Sequence, residues 1–189
     1  MNKIIVIIGP TGAGKTTTAE YLKNKFQVEQ IITHTTRPKR KNEKEGIDYY
    51  FETKDSFPKN HFLEQVTYSN YQYGSSKEGI ERAYQKSPIV SIVLDTKGAE
   101  TYVKELGNEV QVLYLKVKDE ATIKQRLLKR GDSLSSIESR LKTPEYKRDL
   151  VLPEALKPYT VIINNDDWTE TQNKLNDFYE KLKAEIKKL

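Results

Sequence analysis

Five short runs of apolar, largely β-branched residues are spaced along the chain, and segments with helical character separate them. Continuous apolar runs are typical of strands in a parallel sheet, because helices cover both faces of such a sheet. The runs span residues 4–8, 30–33, 89–95, 110–117 and 159–163, and the helical candidates span 15–25, 77–86, 96–106 and 119–129. This alternation predicts an α/β fold with a five-stranded parallel sheet flanked by helices.

Two segments interrupt the alternation. Residues 34–76 are rich in tyrosine and charge, and their short apolar segments predict small antiparallel strands in an insertion beside the main sheet. Residues 130–150 are polar and basic and predict a mobile lid. Because loops on α/β scaffolds commonly position ligands, we expect both segments to take part in binding. The remaining residues, 1–33, 77–129 and 151–189, form the predicted core of a single domain, closed by a helix over 169–189.

Composition limits the possible functions. The 32 Lys and Arg residues against 27 Asp and Glu give a net charge of +5, which suits polyanionic small molecules without requiring a nucleic-acid partner. The absence of cysteine excludes disulfides, thiolate metal sites and thiol nucleophiles. The apolar run at 4–8 is too short for a signal-peptide core, and no later run approaches the ~20 residues of a membrane span. We expect a cytoplasmic monomer or homodimer with no membrane contact.

Residues 9–16, GPTGAGKT, satisfy the phosphate-loop pattern G-x-x-x-x-G-K-[ST] between a buried strand and a helix start. The backbone N–H groups of such a loop surround nucleotide phosphates, so the motif predicts a P-loop NTPase fold and ATP binding. Lys15 is expected to bridge the β- and γ-phosphates, and the Thr16 hydroxyl is expected to bind Mg²⁺. The predicted ATP-binding residues of the loop are Gly12, Ala13, Gly14, Lys15, Thr16 and Thr17.

Asp95 ends the apolar run that precedes residue 96. One interpretation is that its carboxylate holds a magnesium-bound water or a donor on the substrate. The other interpretation is that Asp95 caps the helix beginning at Thr96.

The segments 34–51 (HTTRPKRKNEKEGIDYYF), 62–64 (FLE) and 71–75 (YQYGS) closely resemble guanylate kinases, and the resemblance runs nearly end to end. The chemistry of the residues points the same way. Guanine offers N–H donors at N1 and N2 and an acceptor at O6, which suit carboxylates and hydroxyls. Adenine would leave a carboxylate facing its N1 acceptor unpaired. The side chains that supply this set are Thr33, Glu64, Ser75 and Asp95.

The acceptor's phosphate needs cations. Arg37 and Arg40, three residues apart, offer planar guanidinium groups that match a dianionic phosphate, and Tyr49 and Tyr73 add hydroxyl donors. On composition alone, the basic cluster could equally be a solvated loop or a nucleic-acid patch. The resemblance favours phosphate binding and adds Gly74 to the predicted GMP site.

The resemblance implies direct in-line transfer of the γ-phosphate of ATP to GMP or dGMP with Mg²⁺. It assigns catalytic roles to Lys15, Arg37, Arg130 and Arg140. It also places Arg126 against adenine and Asn165 beside the ATP base, although a strand-ending turn explains Asn165 equally well.

Departures from the family pattern leave alternatives open, and they include the Pro38 position and the Lys41-Asn42 pair. Val93 occupies the first position of the family's usual Asp-x-Asp, the spacing from Arg130 to Arg140 is one residue shorter, and residues 143–144 interrupt the following helix. The alternatives are a related kinase acting on another nucleoside monophosphate or a sugar phosphate, and a non-catalytic guanylate-kinase-like binding module. A nucleic-acid-dependent P-loop ATPase is a further rival.

Overall fold

The architecture comes from a computed structural model that describes residues 2–68 and 70–187. In that part of the chain the strands are β1 (Lys3–Ile8), β2 (Glu29–Gln30), β3 (His34–Thr35), β4 (Tyr50–Phe51), β5 (Phe62–Tyr68), β6 (Tyr71–Ser76), β7 (Ile89–Val93), β8 (Val110–Lys116) and β9 (Thr160–Asn164). The α-helices are α1 (Lys15–Phe26), α2 (Lys77–Tyr84), α3 (Thr96–Leu106), α4 (Glu120–Arg130), α5 (Leu134–Leu141), α6 (Pro144–Asp149) and α7 (Trp168–Lys187). Short 3₁₀ segments span Phe57–Lys59, Gly107–Glu109 and Glu154–Tyr159.

The main sheet has five strands in the order β2-β7-β1-β8-β9, and all of its strand pairs are parallel. The predicted five-stranded parallel sheet is therefore confirmed. The strand predicted over 30–33 is shorter and earlier than expected, because only Glu29 and Gln30 pair with β7 before the chain turns into the insertion.

The central strand explains why the sheet needs helices on both faces. Ile4, Val6 and Ile8 of β1 face one core with Tyr102 of α3, and the residues between them face a second core that includes Leu175 of α7. Successive side chains of a strand point to opposite faces, and here both faces of the sheet are covered. All side chains of residues 4–8 are therefore fully buried. The uninterrupted apolar run follows from this two-sided burial.

The insertion forms a separate four-stranded sheet in the order β4-β3-β6-β5. Strands β5 and β6 make the predicted antiparallel hairpin, and β3 also runs antiparallel to β6. The prediction of antiparallel strands is wrong for β4, which pairs parallel to β3. The loop from 36 to 49 carries the chain back to the start of the sheet, so β4 enters in the same direction as β3.

The predicted lid, residues 130–150, contains two helices joined at Thr143. The Thr143 hydroxyl accepts a hydrogen bond from the Tyr146 backbone N–H at 3.2 Å, and Pro144 occupies the first turn of α6. A proline at this position costs no intrahelical hydrogen bond, so Thr-Pro starts a new helix here. Side chains from α4, α5 and α6 share a small core of Ile123, Leu127, Ile137, Leu141 and Tyr146.

None of the helices within the described part of the chain is both long enough and apolar enough to cross a membrane.

Candidate active site

A cavity of about 300 Å³ lies between the carboxyl ends of the main-sheet strands and the insertion. Side chains from the phosphate loop, the insertion and the lid meet in it. The lining residues are Thr11, Lys15, Thr33, Arg40, Tyr49, Glu64, Val66, Tyr73, Gly74, Val93, Leu94, Asp95, Arg140 and Asp149. The structure thus brings together most of the residues predicted to bind the acceptor nucleotide, and Lys15 lines the same cavity.

The phosphate loop, residues 9–16, depends on glycine at its first position. Gly9 has a φ of +139°, and a Cβ there would lie 2.5 Å from the backbone oxygen of Leu115. Only glycine lets the chain leave β1 at this angle and pass so close to β8. The turn that follows delivers Lys15 to the start of α1.

Lys15 lies folded against its own loop. Its Nζ donates hydrogen bonds to the carbonyl oxygens of Gly9 at 2.6 Å and Pro10 at 2.9 Å. Burial lowers the pKa of Lys15 to about 8, although the carboxylates of Asp149 and Asp95 partly oppose the shift. An ammonium group whose charge is poorly solvated is well suited to binding a polyphosphate.

The two arginines of the predicted phosphate site differ in their surroundings. Arg40 lines the cavity, whereas Arg37 is not among the lining residues. The Arg37 Nη2 donates to Glu43 Oε1 at 2.6 Å, and its guanidinium lies over the Tyr49 ring at 5.3 Å from the ring centre. Burial raises the pKa of Tyr49, so its hydroxyl stays a hydrogen-bond donor at neutral pH. The predicted role of Arg37 in phosphate binding stays a prediction.

Three of the four predicted base-reading residues, Thr33, Glu64 and Asp95, line the cavity, and Ser75 lies opposite Glu64 in the β5–β6 hairpin. Glu64 is only 6% exposed, and Ser75, which is fully buried, accepts a hydrogen bond from the Tyr102 hydroxyl at 2.7 Å. Burial raises the pKa of Glu64 to about 7, and the nearby Asp95 carboxylate adds to the increase. The two carboxylates lie on either side of one glycine. A Cβ placed on Gly98 would lie 3.2 Å from Glu64 Oε1 and 3.3 Å from Asp95 Oδ1.

Asp95 caps helix α3, as one of its two interpretations predicts, and its side chain also lines the cavity. Its Oδ1 accepts a hydrogen bond from the Gly98 backbone N–H at 2.7 Å, which caps α3. Its Oδ2 accepts one from Arg148 Nη2 at 2.7 Å. The carboxylate is therefore held on both oxygens at the edge of the cavity.

Arg148 and Asp149 were missed by sequence reasoning. Asp149 is buried, lines the cavity, and accepts hydrogen bonds from the Thr96 N–H at 3.2 Å and the Thr96 hydroxyl at 2.7 Å. The two residues lie in a charged stretch that resembles a solvated helix face, and their partners are 52 or 53 positions away in the sequence. The one usable signal was Thr143-Pro144, which starts the helix that carries them.

The two residues predicted to lie beside the ATP base are hydrogen-bonded to the phosphate loop. Asn165 is 4% exposed, and its Nδ2 donates to the Ala13 carbonyl at 2.7 Å while its Oδ1 accepts from the Thr171 hydroxyl at 2.9 Å. Arg126 donates to the carbonyl oxygens of Asn165 at 2.5 Å and Gly12 at 3.5 Å. Their predicted contacts with ATP stay predictions.

Other predicted residues also lie outside the cavity lining, namely Ser75, residues 12–14 of the phosphate loop, Thr16, Thr17 and Arg130. Thr16 and Thr17 are exposed in the first turn of α1. Arg130, at the end of α4, is largely exposed and paired with Asp132, yet it is close enough to Lys15 for its charge to lower the pKa of that lysine.

Comparisons with known proteins agree with this geometry. A family model described as guanylate kinase matches residues 1–182. The guanylate kinase of Helicobacter pylori strain ATCC 700392 / 26695 is 34% identical over 170 residues, which cover 87% of this chain and 80% of that protein. The guanylate kinase of Mycoplasma genitalium is 30% identical over 181 residues, covering 92% of this chain and 73% of that protein.

A solved structure is similar in fold. The crystal structure of guanylate kinase from Anaplasma phagocytophilum superposes with a TM-score of 0.67 at 22% identity, covering 97% of this chain and 86% of that chain. The family match spans nearly the whole sequence, with the phosphate loop and the insertion both inside it. The chain belongs to the guanylate kinase family.

Proposed function

We propose that this chain transfers the γ-phosphate of ATP to GMP or dGMP, forming ADP and the corresponding diphosphate. One observation carries the proposal: a single cavity is lined by Lys15 of the phosphate loop and by Arg40 and Glu64 of the insertion. A donor phosphate held at Lys15 and an acceptor held by the other two residues would meet in this cavity. The relatives named guanylate kinase support the same reaction.

The acceptor's phosphate would be bound by Arg40 of the insertion and Arg140 of the lid, with hydroxyl donors from Tyr49 and Tyr73. All four line the cavity. Arg37 would join them by exchanging its bond to Glu43 for a phosphate oxygen. Guanidinium groups and phosphate oxygens form short, charge-assisted hydrogen bonds, so this arrangement suits a dianionic monophosphate.

The acceptor's base would lie against Glu64 and Asp95, with hydroxyls of Thr33 and Ser75 nearby and the backbone of Gly74 alongside. Guanine donates N–H groups from N1 and N2, which ionised carboxylates accept. Adenine presents an acceptor at N1, and facing it with a buried carboxylate costs about 1 to 3 kcal/mol. The carboxylate pair therefore supports GMP over AMP.

ATP would be bound by backbone N–H groups of the loop at Gly12, Ala13 and Gly14 and by Lys15, with Thr17 beside the phosphates. Its base would lie near Arg126 and Asn165. Both residues donate hydrogen bonds to carbonyl oxygens of the phosphate loop. These bonds support a second role for them in fixing the shape of the loop.

Mg²⁺ fits this site as an ion carried with the nucleotide. The Thr16 hydroxyl and the carboxylates near Lys15 are hard oxygen donors of the kind Mg²⁺ prefers. In the described part of the chain no group of three or more His, Cys, Asp or Glu could hold a metal ion. Thr16 together with phosphate oxygens and water would hold the ion, which neutralises charge on the β- and γ-phosphates when bound.

The transfer would be direct. An oxygen of the acceptor's phosphate attacks the γ-phosphorus as the bond to ADP breaks, and Lys15, Arg37, Arg130 and Arg140 offset the charge. We infer that the insertion (34–76) and the lid (130–150) close over the cavity and exclude water, which would otherwise accept the phosphoryl group. Because α6 is hydrogen-bonded to Thr96, the closing part of the lid would be α5.

The test is ADP release from Mg-ATP, measured with GMP, dGMP, AMP and a sugar phosphate as acceptors. We expect release that depends on GMP or dGMP and is abolished by Lys15→Ala, whereas Lys23→Ala, an exposed change on the same helix, leaves it intact. Glu64→Ala should raise the KM for GMP about 10- to 100-fold, because hydrogen bonds to a charged group contribute roughly 1.5 to 3 kcal/mol. Glu100→Ala, at an exposed position of α3, is the matched control.

Turnover that prefers a sugar phosphate over GMP would overturn the acceptor assignment. ADP release unaffected by any acceptor would overturn the proposed transfer itself.

A further inference from the structure

Arg148 is the one cation of the lid that bonds directly to a predicted base-reading residue. Its Nη2 donates to Asp95 Oδ2 at 2.7 Å. Its Nε donates to the Thr96 hydroxyl and to Asp149 Oδ1, each at 3.1 Å. The planar guanidinium thus spans two carboxylates, which the single ammonium group of a lysine cannot do with the same geometry.

The backbone that carries Arg148 is fixed to the core of the molecule. Asp149 accepts hydrogen bonds from the N–H and hydroxyl of Thr96, and its backbone carbonyl accepts one from the Tyr114 hydroxyl at 2.9 Å. These contacts do not involve the Arg148 side chain. The guanidinium is therefore presented to Asp95 by an anchored helix, and its removal leaves the anchor in place.

Asp95 shares its corner of the cavity with a second carboxylate, Glu64, around the first turn of α3. Two like charges so close together destabilise each other, and the strain on Glu64 is relieved when it takes up a proton. A proton on Glu64 would turn an acceptor into a donor and spoil the match to the N–H groups of guanine. The cation on Arg148 offsets this repulsion from the far side of Asp95.

We propose that Arg148 is a positioning residue for recognition of the acceptor base: it aims the Asp95 carboxylate and compensates its charge beside Glu64. The inference rests on the proposed function and adds to it a residue that acts through Asp95. Arg148 therefore sets the affinity for GMP rather than for ATP.

The experiment compares Arg148→Gln and Arg148→Lys with the unmodified chain and with Lys147→Gln, an exposed neighbour on α6. The KM for GMP, the KM for ATP and kcat are measured separately, with thermal unfolding as a check on folding. Arg148→Gln should raise the KM for GMP about tenfold, within the range of coupling found for residues in contact, and change the KM for ATP less than about twofold. Arg148→Lys should recover part of the loss, because it restores the charge without the fork.

A double-mutant cycle tests whether Arg148 affects GMP binding through Asp95. If Arg148 acts through Asp95, adding Arg148→Gln to Asp95→Asn should have almost no further effect on the KM for GMP. A full additional loss in that background, or equal loss of affinity for ATP and GMP, would overturn the inference while leaving the proposed function intact. Absence of GMP-dependent ADP release from the unmodified chain would overturn both. Should Arg148→Gln fold poorly, Arg148→Lys carries the same comparison.

Discussion

If Glu64 reads the base as proposed, recognition of GMP should depend on pH. Burial, with a contribution from Asp95, raises the pKa of Glu64 to about 7, far above that of a solvated glutamate. In the proposed function, guanine donates N–H groups to this side chain, so the ionised form is the one that binds. Lowering the pH from 8 to 6 therefore protonates the acceptor that the base requires.

The magnitude follows from the ionised fraction. With a pKa of about 7, roughly 90% of Glu64 is ionised at pH 8 and roughly 10% at pH 6. The value of kcat/KM for GMP should therefore fall about tenfold over this interval, which corresponds to about 1.4 kcal/mol. A phosphate monoester has a second pKa of about 6, so partial protonation of GMP itself adds about a twofold loss.

The assay is the initial rate of GDP formation at saturating Mg-ATP, followed by separation of the nucleotides so that no coupling enzyme responds to pH. Saturating ATP keeps Lys15 in its charged, phosphate-bound form across the range. The control is Glu64→Gln, which cannot titrate. Its kcat/KM for GMP should be lower throughout and should fall only about twofold from pH 8 to pH 6, through the phosphate of GMP. If the unmodified chain and Glu64→Gln show the same pH profile, Glu64 does not read the base as a carboxylate.

Three further results are expected. Binding of ATP at pH 9 should take up close to one proton, because burial lowers the pKa of Lys15 to about 8 and contacts with phosphate raise it again. Calorimetry in buffers of different ionisation enthalpy measures this proton uptake. Lys15→Met should abolish it. Glu43→Gln should lower the KM for GMP about fivefold with the KM for ATP unchanged, since a phosphate oxygen then no longer has to displace the Glu43 carboxylate from Arg37; a raised KM for GMP, or equal changes in both KM values, would contradict this. Gly9→Ala should lower the free energy of unfolding by about 2 kcal/mol or more in urea titration, because its Cβ would lie 2.5 Å from the Leu115 carbonyl oxygen; unchanged stability would show that the loop relaxes.

The main sheet was predictable because its strands are buried on both faces. Such burial leaves an uninterrupted apolar run, and the run over 4–8 survives in the structure as a strand with fully buried side chains. The phosphate loop was predictable because its function needs a fixed spacing of glycine and lysine. The two-residue strand β2 and the parallel pairing of β4 were not predictable, since segments this short have no periodicity to read.

Site residues that belong to a local sequence motif were predictable. Site residues whose partners are distant in the sequence were not. Arg40, Glu64 and Asp95 fall in recognisable motifs and do line one cavity. Arg148 and Asp149 act through partners more than fifty residues away, in a six-residue helix too short to show an apolar stripe. Only the folded chain reveals that a basic, polar segment contributes to the corner where the base would lie.

The sequence motif assigns the same phosphate-binding role to Arg37 and Arg40, but the two side chains differ in their contacts in the structure. Arg37 is already bound to a carboxylate, so a phosphate oxygen would replace one charge-assisted hydrogen bond with another, and the net gain is small. Within residues 2–68 and 70–187 the side chains of Arg40 and Arg140 have no comparable hydrogen bond, and both line the cavity. A phosphate binding there gains the new bonds without giving up old ones. The affinity for a monophosphate should therefore come mainly from Arg40 and Arg140, and Arg37 should add less.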